Sequence, residues 1–322
     1  MVETIYDGSA DPRTFKDALS VMIPKILDED PDAIYLDADL MSCIGTAGYA
    51  RAHPDRAINC GIAEANMAGI AAGLAASGFK PICHTFGTFA SRRCFDQVFL
   101  SCGYAGNGIT MIGTDPGVCA AMNGGTHMPF EDVALYRAIP GSTVLDPADT
   151  AQFDEVFPKL LAREGVKYVR VNRKSNDRIY RDGTKFEIGC GATLRQGDDA
   201  VVIAAGIMVG PALEAASALA ARGIEAAVID MFTIKPLDEE LTAYWAKATG
   251  AVVVAENHNR VGGLCSAVAD RLASVCPTPV GCVAVEESYG EVGPADWLAE
   301  RFGLTAGHIV AEVERTIVRK QR

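Results

Sequence analysis

Several things are missing from this 322-residue sequence, and each absence removes a class of function. No run is apolar enough to cross a bilayer. The most apolar stretch, Ala200 to Leu213, is closed in by Asp199 and Glu214 and broken by Gly206, Gly210 and Pro211, well short of the ~20 residues a span needs. The N-terminus has neither a basic flank nor an apolar core, so no secretory leader is expected and the reading is a cytoplasmic chain. Basic residues are scarce: 29 Lys and Arg face 41 Asp and Glu, a net charge of −12. A surface of that sign repels phosphate backbones and anionic lipid, which argues against nucleic acid and membrane partners. The ten cysteines include no CxxC pair and no His at zinc-site spacing, so they read as reduced, mostly buried thiols. There is no P-loop, no GxGxxG after a strand and no GxSxG elbow, which takes the main support from kinase, dehydrogenase and hydrolase readings.

What remains is an alternation of short β-branched runs with longer Ala/Leu-rich stretches, the pattern of parallel-sheet α/β layers. In the first half the runs are Ala33–Leu36, Pro81–Phe86, Ile109–Ile112, Ser142–Leu145 and Lys167–Val171, with helical stretches such as Glu64–Ser77, Ala90–Tyr104 and Ala148–Arg163 between them. The polar segment 174–185 lacks an apolar period and reads as a linker or surface hairpin. The pattern then restarts with strands at Ala200–Ala205, Ala226–Ile229, Ala251–Ala255 and Val280–Val285. Two α/β domains are expected, at 1–185 and 186–322, near the usual domain size.

Three segments of the first domain stand out. Gly61-Ile-Ala-Glu-Ala-Asn-Met67 places Glu64 in the first turn of an Ala/Gly-rich helix, where a carboxylate also serves simply to offset the macrodipole. Cys83-His-Thr-Phe-Gly-Thr-Phe89 ends a strand in Phe86 and Phe89, followed by Arg92 and Arg93; alone, two such phenylalanines more often pack a core. The long loop from Gly113 to Asp132 carries Asp115, Asn123 and the loop histidine His127, and a loop of that length between strand and helix usually has a function.

Taken in this order, the segments resemble the pyrimidine-binding domain of transketolase-like thiamin diphosphate enzymes. The likeness extends through the second domain in Gly206-Ile-Met-Val-Gly210, Met231-Phe-Thr-Ile-Lys-Pro-Leu237, Glu256-Asn-His258 with Gly262-Gly263, and Glu287-Ser-Tyr-Gly-Glu291. The resemblance implies that Glu64 hydrogen-bonds the aminopyrimidine N1′ of thiamin diphosphate and so promotes formation of the ylid nucleophile, a task suited to a carboxyl in a dry pocket. It implies Phe86 and Phe89 around the pyrimidine, with Arg92 where the family often has an aromatic or an arginine. His127 matches a substrate-contacting histidine. Asn123 stands where many transketolases have aspartate, Asp115 where they have a phosphate-site histidine, and Ser42 and Cys43 near their phosphate-site serine. Arg173 matches an arginine that clamps the sugar phosphate, for which a forked guanidinium is suited.

Full-length members also carry a GDG motif with a downstream Asn, which hold Mg²⁺ and the diphosphate. This sequence has no GDG. The resemblance therefore implies the C-terminal subunit of a split transketolase, moving a two-carbon ketol unit between sugar phosphates. The cofactor's Mg²⁺ (or Ca²⁺) would be held mainly by an N-terminal partner subunit, on a homodimer core completed as a two-plus-two heterotetramer. Two other readings share the fold: the beta subunit of a thiamin-dependent 2-oxoacid dehydrogenase, whose loop usually differs from Gly-Gly-Thr-His127-Met-Pro-Phe, and a non-catalytic scaffold.

Overall fold

The computed structural model describes residues 2–320. In chain order the strands are β1 (Ala33–Asp37), β2 (Ala57–Asn59), β3 (Lys80–Phe86), β4 (Thr110–Thr114), β5 (Thr143–Leu145), β6 (Lys167–Val171), β7 (Ala192–Arg195), β8 (Ala200–Ala204), β9 (Ala226–Asp230), β10 (Thr233–Lys235), β11 (Val252–Asn259) and β12 (Val280–Val285). They build a seven-stranded sheet in the order β10-β5-β6-β4-β3-β1-β2 and a five-stranded sheet in the order β12-β11-β8-β9-β7. All pairs are parallel except at one edge of each sheet, where β10 runs against β5 and β7 against β9. Strands β1, β4, β6, β8 and β9 are buried along their whole length. That burial on both faces explains why they read as continuous apolar runs rather than alternating ones.

The two sheets are not independent of each other. β10 comes from the second half of the chain but closes the first sheet, and the backbone bonds Asp146 N to Phe232 O (2.8 Å) and Gly206 N to Asp146 O (3.0 Å) continue the join. The fully buried Arg170 guanidinium sits at this junction. It donates to Asp132 and Asp146 at 2.8 Å each and to the Asn257 carbonyl at 2.9 Å. A buried cation of this kind is tolerated because each of its three nitrogens finds an acceptor and two carboxylates offset its charge.

Segment 174–185 differs from the free linker expected of it. Ile179 and Tyr180 are buried, their N–H groups donate to Asp149 (2.9 and 2.7 Å), and the Tyr180 hydroxyl donates to Asp230 at 2.6 Å. Its polar residues mask two apolar anchors that dock between the sheets. The helix Phe15–Glu29 is likewise a structural addition to the sequence reading. It opens with a Thr14/Asp17 capping box and buries Phe15, Leu19, Ile23 and Leu27 on one face, the i, i+4 spacing of an amphipathic helix.

In the first sheet the strand order reverses between β1 and β3: the chain leaves β1 toward β2 on one side and leaves β3 toward β4 on the other. A crevice opens at such a switch point beyond the carboxyl ends of the strands, and ligands of open α/β sheets bind there.

Candidate active site

Asp37 ends β1 and His84 lies near the end of β3, side by side at the reversal. Asp37 Oδ2 lies 2.7 Å from His84 Nδ1 and accepts from the Tyr35 hydroxyl at 2.5 Å, while His84 Nε2 meets Thr114 Oγ1 on β4 at 3.2 Å. The other Asp37 oxygen accepts the Leu40 N–H. This buried network holds the floor of the crevice and the loop that follows β1. Three non-glycine residues with positive φ stand on the same edge: Asp39 (65°), Asp115 (56°) and Ala121 (48°). Side chains rarely adopt that conformation, and where it persists it tends to mark functional loops.

Glu64 opens the helix Glu64–Ala76 and is 1% exposed. Its Oε1 accepts from Arg93 Nη1 at 2.8 Å, whereas Oε2 is buried with no hydrogen-bond partner. An unpartnered carboxylate oxygen in a dry site is costly unless something else completes it. From Glu64 a continuous array runs across the crevice. The Arg93 guanidinium lies 3.8 Å from the Phe89 ring centroid, Phe89 meets His127 edge-on at 5.1 Å, and His127 meets Phe86 edge-on at 5.7 Å. The array ends with Arg173, 4.6 Å from the Phe86 centroid and paired with Asp115. Phe86 and Phe89 are only partly buried and belong to neither hydrophobic core, so they offer ring area to the crevice rather than core packing. The stretch carrying Phe89, Arg92 and Arg93 winds as wide π-type turns, an irregularity common at functional sites.

Of the residues singled out in the sequence, Glu64, Phe86, Phe89, His127, Asp115 and Arg173 come together here. Arg92 turns away: its guanidinium pairs with Glu131 at 2.9 Å and reaches the Thr88 hydroxyl, so Arg93 takes the place beside Glu64. Burial raises the Glu131 carboxyl above its ordinary value, with Arg92 pulling the other way. Ser42 is exposed and lines a separate hollow of about 390 Å³ with Asp39, Arg51 and Asn59, while its half-buried neighbour Cys43 is the one near Arg173. Asn123 is exposed and makes no side-chain hydrogen bond among the described residues.

The loop bearing His127 is held from the second sheet. Asn257 on β11 accepts from Val118 N (3.0 Å) and donates to the Pro116 carbonyl (2.8 Å). Gly117, with φ of 51°, lies so close to the Asn257 side chain that a Cβ would collide with it. Next to Asn257, His258 is pushed down to about 4 and Glu256 up to about 7, both mainly by burial. Glu256 accepts the Leu264 and Cys265 N–H groups (2.6 and 2.8 Å) at the start of the helix Leu264–Val275. No group of three or more His, Cys, Asp or Glu side chains among the described residues converges as a metal site, and no helix among them is long and apolar enough to cross a membrane.

Comparison with known proteins places this geometry. Residues 11–177 match the transketolase pyrimidine-binding domain and residues 189–309 the transketolase C-terminal domain. The chain belongs to the transketolase family. It is 46% identical over 98% of both chains to the 6-deoxy-6-sulfo-D-fructose transketolase subunit SqwH of Clostridium sp. (strain MSTE9). Transketolase-like protein 2 of Mus musculus is 33% identical over 94% of this chain but only 49% of its own length, so the present chain corresponds to part of that longer protein. A solved split-gene transketolase, described as an inactive beta4 tetramer, superposes with a TM-score of 0.88 at 38% identity, covering 95% of this chain and 99% of that one. The fold and the two-domain order expected from the motifs are thus those of the family, and the chain is a transketolase-type transferase subunit. Thiamin diphosphate is the cofactor that membership in the family implies.

Proposed function

We propose that this chain is the C-terminal subunit of a split transketolase that moves a two-carbon ketol unit from a ketose to an aldose. In this reading an N-terminal partner subunit holds the diphosphate and its Mg²⁺ (or Ca²⁺). Two copies of this chain form a homodimer core that recruits two partners, a two-plus-two assembly. The likeness to the SqwH subunit and to the split-gene transketolase supports a chain that works with a separate partner. The observation that carries the reading is Glu64: buried, held at Oε1 by the Arg93 guanidinium that lies over Phe89, and left with an unpartnered Oε2.

Those residues fit the aminopyrimidine half of the cofactor. Glu64 Oε2 would meet N1′ and hold a proton there, while Phe86 and Phe89 would flank the ring and exclude water. When bound, thiamin diphosphate supplies a carbon nucleophile for cleaving the bond next to a ketose carbonyl. Arg93 fixes the orientation of Glu64 and keeps the other oxygen from turning. His127, braced between Phe86 and Phe89 and bonded through Nδ1 to Thr126 Oγ1 at 2.9 Å, presents its remaining ring nitrogen to the substrate's oxygen atoms. Arg173 marks the far end of the substrate, with Asp115 and Cys43 beside it. Asn123 belongs to the exposed rim of the His127 loop, Ser42 faces the separate hollow with Asp39 and Arg51 and has no part in this site, and Arg92, tied to Glu131, supports the cofactor side of the His127 loop.

The test is reconstitution. The purified chain with thiamin diphosphate and Mg²⁺ should show no sub-micromolar binding and no ketol transfer, and both should appear on adding the partner subunit. Tight binding and turnover by the chain alone would overturn the split arrangement, and a stable one-to-one complex in sedimentation would overturn the two-plus-two core.

A further inference from the structure

The far end of the crevice has an unusual charge arrangement. Arg173 lies over Phe86, and its side chain is 22% exposed. Asp115 occupies two of its donors: Oδ2 accepts Nε at 2.9 Å and Nη2 at 2.5 Å, and Oδ1 accepts the Arg173 backbone N–H at 3.1 Å. Asp115 cannot swing aside. Its side chain is 4% exposed, its own N–H donates to the Val171 carbonyl at 2.9 Å, and its backbone sits at a positive φ of 56°. Burial opposes the Arg173 charge, and the hydrogen bond and charge of Asp115 outweigh it, holding the guanidinium above its ordinary value. Arg170, the next cation on the strand, is engaged by Asp132 and Asp146. Arg173 Nη1 makes no hydrogen bond among the described residues.

The far end therefore offers directed N–H donors but almost no net positive charge. A phosphate monoester carries close to two negative charges at neutral pH, and its second charge would face the Asp115 carboxylate, which already offsets the Arg173 guanidinium. A sulfonate has the same three-oxygen shape with a single charge. We propose that Asp115 is a specificity-determining residue that makes this site take a ketose ending in a singly charged sulfonate in preference to one ending in a phosphate dianion. The proposal rests on the ketol-transfer reading above and concerns the substrate of that same site.

The experiment uses the complex reconstituted with its partner, thiamin diphosphate and Mg²⁺. It compares kcat/KM for 6-deoxy-6-sulfofructose, fructose 6-phosphate and fructose in the native chain and in Asp115→Asn. Asn is the suitable replacement because it also tolerates a positive φ and keeps an oxygen to accept the Arg173 N–H. The native complex should favour the sulfonate at least tenfold over the phosphate. In Asp115→Asn the preference should move toward phosphate by about ten- to a hundredfold, mainly through KM, as the freed guanidinium attracts the dianion more than the monoanion. If melting shows that Asp115→Asn does not fold, Asp115→Ser serves the same comparison. A native preference for phosphate, best activity with uncharged fructose, or an unchanged ratio in the variant would each overturn the proposal. Failure to transfer ketol units from any ketose would overturn the ketol-transfer reading instead. Calorimetric binding of the two anionic ketoses to the same complex would then decide Asp115: tighter sulfonate binding that shifts toward phosphate in the variant supports it, and equal affinities reject it.

Discussion

Replacing Glu64 with Gln separates the chemistry assigned to this residue from its structural role. The amide oxygen can still accept from Arg93 Nη1, now 2.8 Å from Oε1, but the acceptor loses its charge and the ion pair becomes a single-charge hydrogen bond, a loss of about 1 kcal/mol. The first-turn carboxylate also offsets the helix macrodipole by about 0.3–1 kcal/mol. Against both stands the exchange of a buried, unpartnered carboxylate oxygen for an unpartnered but neutral amide NH2, which lightens a burial cost of about 1–3 kcal/mol for the unsatisfied group. These effects roughly cancel, so the melting temperature of Glu64→Gln should stay within a few degrees of the native value. Turnover should not. An amide cannot hold or return the proton at N1′, and acid–base contributions of ~10² to 10⁴ set the expected loss in kcat. The assay is ketol transfer by the reconstituted complex, alongside thermal melting of the isolated variant. Native-like kcat would reject Glu64 as the activating acid, and a fall in melting temperature of more than about 10 °C would show that its role is structural.

Three further outcomes are expected. Arg173→Ala should raise KM for ketoses with a terminal anion by roughly ten- to a hundredfold and leave hydroxypyruvate, which has no far-end anion, nearly unaffected; equal losses for both donors would remove Arg173 from the substrate site. Asn257→Ala leaves the Val118 N–H and the Pro116 carbonyl without their partners, so urea unfolding should show a loss of roughly 2–4 kcal/mol and KM should rise as the His127 loop loosens. Asp230, raised to about 7 mainly by burial, is favoured in its protonated form by the folded state. Its contribution to stability is thus complete below about pH 4 and lost as pH rises toward 7, by up to roughly 4 kcal/mol at ~1.4 kcal/mol per pKa unit. Asp230→Asn should gain on the native chain across that window and hold a constant advantage above it in melts at matched pH; parallel curves would show that Asp230 does not titrate there.

Much of this molecule was legible in the sequence because the signals were local. Strand runs such as Pro81–Phe86 and Lys167–Val171 are read from composition and length, and β3 and β6 form there. The helix Phe15–Glu29, absent from the sequence reading, also carries a local signal in its Thr14/Asp17 capping box and apolar i, i+4 spacing. The motif order around Glu64, Phe86, Phe89, His127 and Arg173 carried the family resemblance, and the structure gathers these residues at one edge of one sheet because in parallel α/β folds the loops after the strands share an edge.

By itself the sequence determined the fold class and the strand runs of the two domains, because hydrophobic periodicity and turn chemistry act over a few residues; the candidate crevice residues came from the family resemblance of their motifs, and Arg92 and Ser42 among them face elsewhere. Charge partners were decided by the tertiary structure alone. Arg93 rather than Arg92 meets Glu64 across 29 positions, and Asp115 closes on Arg173 across 58, distances at which no periodic signal survives. The same holds for Cys43 lying near Arg173 while Ser42 faces another hollow, for Asn257 gripping the His127 loop from the second sheet, and for β10 leaving its own half of the chain to finish the first sheet. Each depends on strand order and loop paths, which set the direction of a side chain only once the whole chain has packed.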